Sequence, residues 1–311
     1  MPSRSASGSD LIPSDVDNAA VEIGDRRVAL TNLRKIYFPQ LGLTKGDLLR
    51  YYASVSDVLL PHVSDRPMVM KRYPHGVTGE FFYMKRTPSP RPEWIRTCRI
   101  EHRSGNVIDF PVVEDLASLL WLINLGCIDL NPWYSLCDDP DRPLYIHFDL
   151  DPTPNTPFAV VREGALIVGD VLRGLGMKPL AKTSGSKGVH VYVAIERKLT
   201  QHEVWEIAKE IGHQIARAHP DVLTAEYRIA KRPDRHVLVD YNQNSWGRTL
   251  ASIYSVRAKE AATVSTPVTW EELQQGCEID DFTVFNVPER IARIGDLWKP
   301  LLAKRGRFNL V

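Results

Sequence analysis

With 311 residues, 35.2 kDa and 43% hydrophobic residues, the chain is long enough to bury a core as one large or two small domains. No run of about 18 uncharged apolar residues occurs, and the opening "MPSRSASGSDLIPSDVDNAA" lacks the apolar centre of a secretory signal, which excludes a spanning helix and predicts a cytoplasmic address. The formal net charge of +1 names no partner, and Cys98, Cys127, Cys137 and Cys277 show no CxxC or zinc-like spacing, which predicts reduced packing thiols.

Residues 1–25 are rich in Ser, Asp and Pro without periodicity and predict a flexible arm, with order beginning at "RRVALTNLRKIYFP". Thr44 then caps a helix with Leu48, Leu49, Tyr52, Val55, Val58 and Leu59 at helical spacing, expected to stop at Pro61. "RPMVMKRYP" reads as a short strand, and "VVEDLASLLWLINLG" as an apolar helix closed by Gly126. "CIDLNPWYS" is extended, residues 138–143 form a polar turn, and "LYIHFDLDPTP" is a strand. A helix over 157–175, a strand over 188–195, a helix over 200–220, a strand over 236–243 and an extended "SIYSVRAK" follow. "TWEELQQG" and "VPERIARIGDLWKPLLAKRG" supply closing helices. Without an internal repeat or a long linker, residues 26–311 are expected to form a single domain of two lobes, mixed in α and β structure.

Charge is unevenly spread. From Arg66 to Arg103 nine Lys or Arg face three acids, a local excess of +6, with Tyr73, Phe81, Phe82, Tyr83 and Trp94 among them. Cations that neutralise phosphate, interleaved with rings that stack on bases, suit a single-stranded or distorted nucleic acid. A solvated surface with its aromatics turned inward accounts for the same segment.

The strand "LYIHFDLDPTP" carries two acids where a buried strand has apolar residues. Side chains alternate faces, so His147, Asp149 and Asp151 share one side, the two carboxylates about 7 Å apart along the strand. Pro152 places them at a strand end. Two unpaired carboxylates would cost several kcal/mol each to bury, so solvent or cations must neutralise them, and hard Mg²⁺ or Mn²⁺ ions suit oxygen ligands. DxD alone also occurs in sugar-nucleotide transferases, nucleases and ordinary loops. Two segments add to it. "KTSGSKGVHVYV" offers backbone N–H groups, the Ser184 and Ser186 hydroxyls, the Lys187 ammonium and His190 as a phosphate cradle, though it is not a Walker A loop. "HVLVDYNQN" brings Asp240 to another strand end, and three strand-borne acids are what two-metal phosphoryl transfer needs.

"FDLDP", "TSGSKGVHVYV", "VDYNQN" and "YSVRAK…VSTPVTWEEL", with "LTNLRKIYFP", "LTKGDLLRYY", "KRYPHGV", "FFYMK" and "HRSGN" upstream, resemble the polymerase domain of bacterial ligase D and its stand-alone relatives, in the archaeo-eukaryotic primase superfamily. The resemblance covers nearly everything after residue 26. It implies an α+β fold, with a catalytic core built on an RNA-recognition-like mixed sheet and a second α/β lobe. It implies Asp149, Asp151 and Asp240 as catalytic ligands of two Mn²⁺ or Mg²⁺ ions. Lys71, Ser184, Lys187 and His190 would contact the nucleotide, with Arg257 a nucleotide contact rather than a structural ion pair. Phe81 and Phe82 would stack near the templating base, and Lys35 and Lys45, as exposed cations, would grip the 5′-phosphate bordering a gap.

Three departures accompany the resemblance. The family usually has a His where "DLNPW" has Asn131, which is expected to contact the nucleotide as an amide that hydrogen-bonds but carries no charge. One residue is added between Phe82 and Lys85. The chain stops at 311 residues, without room for a ligase or nuclease domain. The expected activity is template-directed filling of short gaps or ends in DNA with rNTPs, and dNTPs, during excision repair or end joining. The expected partners are gapped DNA, a separate ligase and end-binding proteins, with a nucleoid location and no membrane. The alternatives are a metal-dependent nuclease, which has no need of a triphosphate cradle, and a non-catalytic DNA-binding module that recruits a ligase.

Overall fold

The computed structural model describes residues 11–102 and 104–311. The first ten residues of the expected arm, and Arg103 of the basic segment, lie outside the described residues. The rest of that arm belongs to the fold, which corrects the expected start of order. Ile12 is buried, and Ala19–Ile23 pairs antiparallel with Arg26–Leu30 across a turn at Gly24, φ +62°. Val21, Val28 and Leu30 are the buried positions of that hairpin, too few to show as a period in an acidic, Ser-rich stretch.

The chain divides into two compact units, each assembled from separate stretches of sequence. The first takes the chain up to Pro132 with Tyr254–Val264 and Thr283–Gly295. Its long helix, Lys45–Val63, opens on the Thr44 capping box: Asp47 N donates to Thr44 Oγ1 at 3.1 Å and Thr44 N to Asp47 at 2.7 Å. The helix runs past Pro61 rather than stopping there. A proline in the last turn removes only one backbone donor, and Ser64 N closes the end on Leu60 O at 2.9 Å. Met68–Arg72 is the middle strand of an antiparallel sheet between Phe82–Met84 and Cys127–Pro132. The segment expected as an extended "SIYSVRAK" strand makes only the bridge Val256↔Val264. Its backbone is held by side chains instead, with Tyr51 OH donating to Tyr254 O and Val256 N to Tyr52 OH. The hairpin Thr97–Glu101/Val107–Pro111 was missed, although Ser104-Gly105, with Gly105 at φ +77°, is a turn signal between its strands.

The second unit takes Trp133–Ile253, Ser265–Phe282 and Asp296–Val311. Its six-stranded sheet runs Leu223–Thr224, Val237–Asp240, Tyr145–Pro152, Val189–Ala194, Leu180–Thr183, Pro267–Val268. Only the first pair is parallel. In chain order the core is strand, helix Phe158–Gly174, two strands, helix Gln201–Ala218, strand, with the spatial order fourth, first, third, second. That is the RNA-recognition-like arrangement within an α+β fold. A Cβ at Gly164 of the first helix would lie 2.9 Å from Leu223 Cδ2 and 3.8 Å from Val237, so this helix packs tightly on the Val237 face. Asp240, three residues on, points to the other face.

Candidate active site

Strand register assembles the site on that other face. Asp149 stands directly across from Asp240 on one neighbour and from His190 on the other, and His190 stands across from Lys182. One row across four strands therefore reads Asp240, Asp149, His190, Lys182, with Asp151 two residues further along the central strand. Asp149, Asp151 and Asp240 each offer an oxygen within 4.8 Å of the others. Asp149 and Asp240 are both 6% exposed, so solvent does not neutralise them; Asp151 is exposed at the strand end.

Asp240 is held from three sides. Tyr227 OH and Asn242 N both donate to its Oδ1 at 2.8 Å, and Gln243 Nε2 to Oδ2 at 2.9 Å. Asp149 Oδ1 lies 3.2 Å from His190 Nε2. The carboxyl of Asp151 is pushed up to about 7, first by the negative charge of Asp149, then by burial and by Asp240. This side chain is exposed, so the charge of its neighbours outweighs desolvation. Three converging carboxylates whose repulsion moves a proton affinity that far fit a hard divalent cation.

The turn after Thr183 differs from the expected open cradle. The N–H groups of Ser186, Lys187 and Gly188 converge on Ser184 Oγ at 3.1, 3.2 and 2.9 Å, so the hydroxyl organises the turn from within. Gly188 is demanded by close approach: a Cβ there would sit 2.3 Å from Leu150 O of the central strand. Lys187 projects into solvent, and its charge acts on Asp151 in the direction opposite to that of Asp149. His190 is 3% exposed and faces Asp149, which makes it a buried neighbour of the acids rather than an open member of the cradle. A groove of about 370 Å³ lies beside this turn, lined by Thr153, Asn155, Thr156, Ser186, Lys187 and Asp280, among others.

Lys182 was missed by the sequence reading. Only 1% exposed, it ends the row, its Nζ donating to Ala251 O at 2.9 Å and to Ser265 Oγ. Both partners lie far along the chain, so no local pattern announces them. Tyr227 and Gln243 were missed too, although Gln243 stands inside "VDYNQN".

The first unit holds the remaining candidates. Lys71 Nζ lies 4.0 Å from the Phe81 ring centroid, 5.4 Å from Tyr73 and 5.7 Å from Tyr83. Phe82 is on the opposite face, under Arg72 at 5.2 Å, so the two phenylalanines do not form one stack. Phe81, Phe82 and Tyr83 are 50%, 45% and 60% exposed, against the alternative of inward-turned aromatics. Arg257 does make the ion pair set against its nucleotide role, Nε to Asp129 Oδ2 at 3.2 Å. Asn131 is buried and donates to Asp129 O. Lys35 Nζ donates to Pro74 O at 2.7 Å. Lys45 is buried, not exposed as expected: its Nζ donates to Thr31 O at 2.6 Å, and burial, then Lys35, brings its pKa down to about 8.

A carboxylate triad on an RNA-recognition-like sheet, beside a lysine-bearing turn, defines the primase-polymerase class. Residues 44–298 match the family described as LigD, primase-polymerase domain, and the chain belongs to it. It is similar to the multifunctional non-homologous end joining DNA repair protein LigD of Mycobacterium tuberculosis (strain H37Rv), 32% identical over 285 residues, 89% of this chain and 37% of that protein. Against the bifunctional non-homologous end joining protein LigD of Bacillus subtilis (strain 168) it is 31% identical over 271 residues, 86% of this chain and 43% of the other. The chain thus spans well under half the length of these curated relatives. Among solved structures, the polymerase domain from Mycobacterium tuberculosis ligase D in complex with DNA matches with a TM-score of 0.84 and 31% identity, over 90% of this chain and 99% of that one. Among the described residues no helix is long and apolar enough to cross a membrane.

Proposed function

We propose that the protein is a template-directed nucleotidyltransferase that fills short gaps or ends in DNA with rNTPs, and also dNTPs, in excision repair or end joining at the nucleoid. The observation that carries this reading is the triad Asp149, Asp151 and Asp240, converging within 4.8 Å inside a chain of the primase-polymerase family. These carboxylates would hold two Mn²⁺ or Mg²⁺ ions. Bound there, divalent ions supply charge neutralisation on the triphosphate and a more acidic primer 3′-hydroxyl.

The chain's own residues do the rest. Tyr227 and Gln243 fix the Asp240 carboxylate, and His190 stands 3.2 Å from Asp149. Lys187 reaches for the triphosphate from a turn whose shape Ser184 maintains, and on the first unit Lys71, Asn131 and Arg257 are the candidate nucleotide contacts. Phe81 and Phe82 meet unpaired bases, and Lys35 supplies positive charge for a 5′-phosphate. A ligase and end-binding proteins are the expected partners.

Single-nucleotide extension on gapped DNA with Mn²⁺ tests the reading. The wild type should extend, and the Asp149→Ala, Asp151→Ala double variant should lose at least a thousandfold in rate, because the whole charge-neutralising site is gone. Full activity in that variant sinks the proposal. Cleavage of the DNA without nucleotide addition would instead favour the nuclease.

A further inference from the structure

Lys71 and Asp129 stand opposite each other in register on neighbouring strands of the three-stranded sheet. Asp129 is only 2% exposed, and Arg257, on the Tyr254–Val264 stretch, brings its Nε to 3.2 Å from the same carboxylate. One buried acid therefore pairs with Arg257 and stands in register with Lys71, two cations delivered from different parts of the chain. A carboxylate is almost never this deeply buried unless it is paired. Both cations are residues that the nucleotidyl-transfer reading places at the incoming nucleotide.

We propose that Asp129 is a positioning residue, which sets the plane of the Arg257 guanidinium and holds Lys71 toward a triphosphate. This rests on the nucleotidyl-transfer reading above. The ion pair engages Arg257 through Nε, so it fixes the guanidinium's orientation rather than merely neutralising it. Lys71 has the rings of Tyr73, Phe81 and Tyr83 around it, Asp129 across from it, and Arg257 and Lys259 as like charges. Asp129 faces Lys71, Arg257, Cys127, Tyr52, Tyr73 and the Ala258 amide. Burial lowers the proton affinity of Lys71, and so do Arg257 and Lys259; Asp129 is the group that opposes them. Without it, Lys71 gives up its proton at lower pH, and triphosphate affinity should fall as pH rises.

The test is single-nucleotide addition by the full chain on gapped DNA with Mn²⁺, followed from pH 6.5 to 8.5. Asp129→Asn should raise the KM for nucleotide about tenfold at pH 7.5, with kcat within about threefold, the size of effect expected for charged hydrogen bonds lost to a phosphate. The rise should grow with pH. Asp129→Glu, which keeps the charge, should restore the wild-type pH profile, and in Asp129→Asn/Lys71→Gln the raised KM should be flat with pH. An unchanged KM, or a rise equal at every pH, overturns the proposal. Should Asp129→Asn fail to fold, the neutral pair Asp129→Asn/Arg257→Gln is compared with Arg257→Gln alone. The proposal requires the double variant's KM to be several-fold higher, and equal values overturn it. A wild type that adds no nucleotide would refute the nucleotidyl-transfer reading itself, a different outcome from either.

Discussion

Asp151 is the one acid of the triad that reaches solvent, and its proton affinity makes it the residue through which the site reports on its own charge. Its carboxyl is pushed up to about 7 by Asp149, by burial and by Asp240, against about 3.9 in an unfolded chain. Between those values the folded state holds a proton that the unfolded state has released. The metal-free fold is therefore favoured at low pH and loses that advantage as pH rises through about 7. A divalent ion takes over the proton's role. The melting temperature of metal-free protein should fall between pH 5 and pH 8, Asp151→Asn should flatten most of that fall, and Mn²⁺ should raise it more at pH 8 than at pH 5. An Asp151→Asn variant with the wild-type slope would remove Asp151 as the source. The acids themselves were legible because strand alternation has a period of two, and DxD at a strand end states its own geometry. Asp129 and Lys182 were not, because what makes a buried charge tolerable is a partner 128 residues away in one case and 69 in the other. No local window contains that information.

Among the elements, those with a strong internal signal were read well and those defined by a neighbour were not. The Thr44 capping box and the apolar stripe announced Lys45–Val63 to within two residues of its end, whereas "SIYSVRAK" has strand-like residues but no strand beside it. The strand Phe82–Met84 shows what register adds. The pairings Lys71↔Tyr83 and Arg72↔Phe82 divide the ribbon into two faces, with Phe81, Tyr83 and Lys71 on one and Phe82 with Arg72 on the other. Phe81 and Tyr83 touch edge to face at 6.0 Å, while Phe82 shares no ring contact with either among the described residues. Rings on separate faces should act independently, and rings in contact should not. Each of Phe81→Ala and Phe82→Ala should weaken single-stranded DNA binding by about 1–3 kcal/mol. The Phe81/Phe82 double variant should show the sum, and Phe81/Tyr83 less than the sum. Fluorescence anisotropy on these four variants and on Tyr83→Ala decides it, and strong coupling between Phe81 and Phe82 would contradict the two-faced ribbon.

At the scale of the whole molecule, net charge and working charge part company. A chain of formal charge +1 has no reason as a whole to seek a polyanion, yet the first unit carries a basic segment whose members differ in what they can do. Arg66 is buried, and Arg96 is bound to both Asp65 and Glu114 at 2.7 Å. Lys85, Arg86, Arg91 and Arg99 are exposed and, among the described residues, make no ion pair. If these four are the ones that meet phosphate, four counterions leave a single strand on binding, and log K should fall against log salt with a slope of about −3. Were the molecule to respond as its net charge suggests, the slope would be near zero; were every cation of the segment engaged, it would be near −6. Replacing Lys85 or Arg91 by Gln should reduce the slope by about 0.7 each, whereas Arg96→Gln should leave it unchanged, since that guanidinium is already neutralised by two acids. A salt titration of single-stranded DNA binding in these three variants separates the cases, and a slope that responds to Arg96 but not to Lys85 would place the phosphate path elsewhere on the molecule.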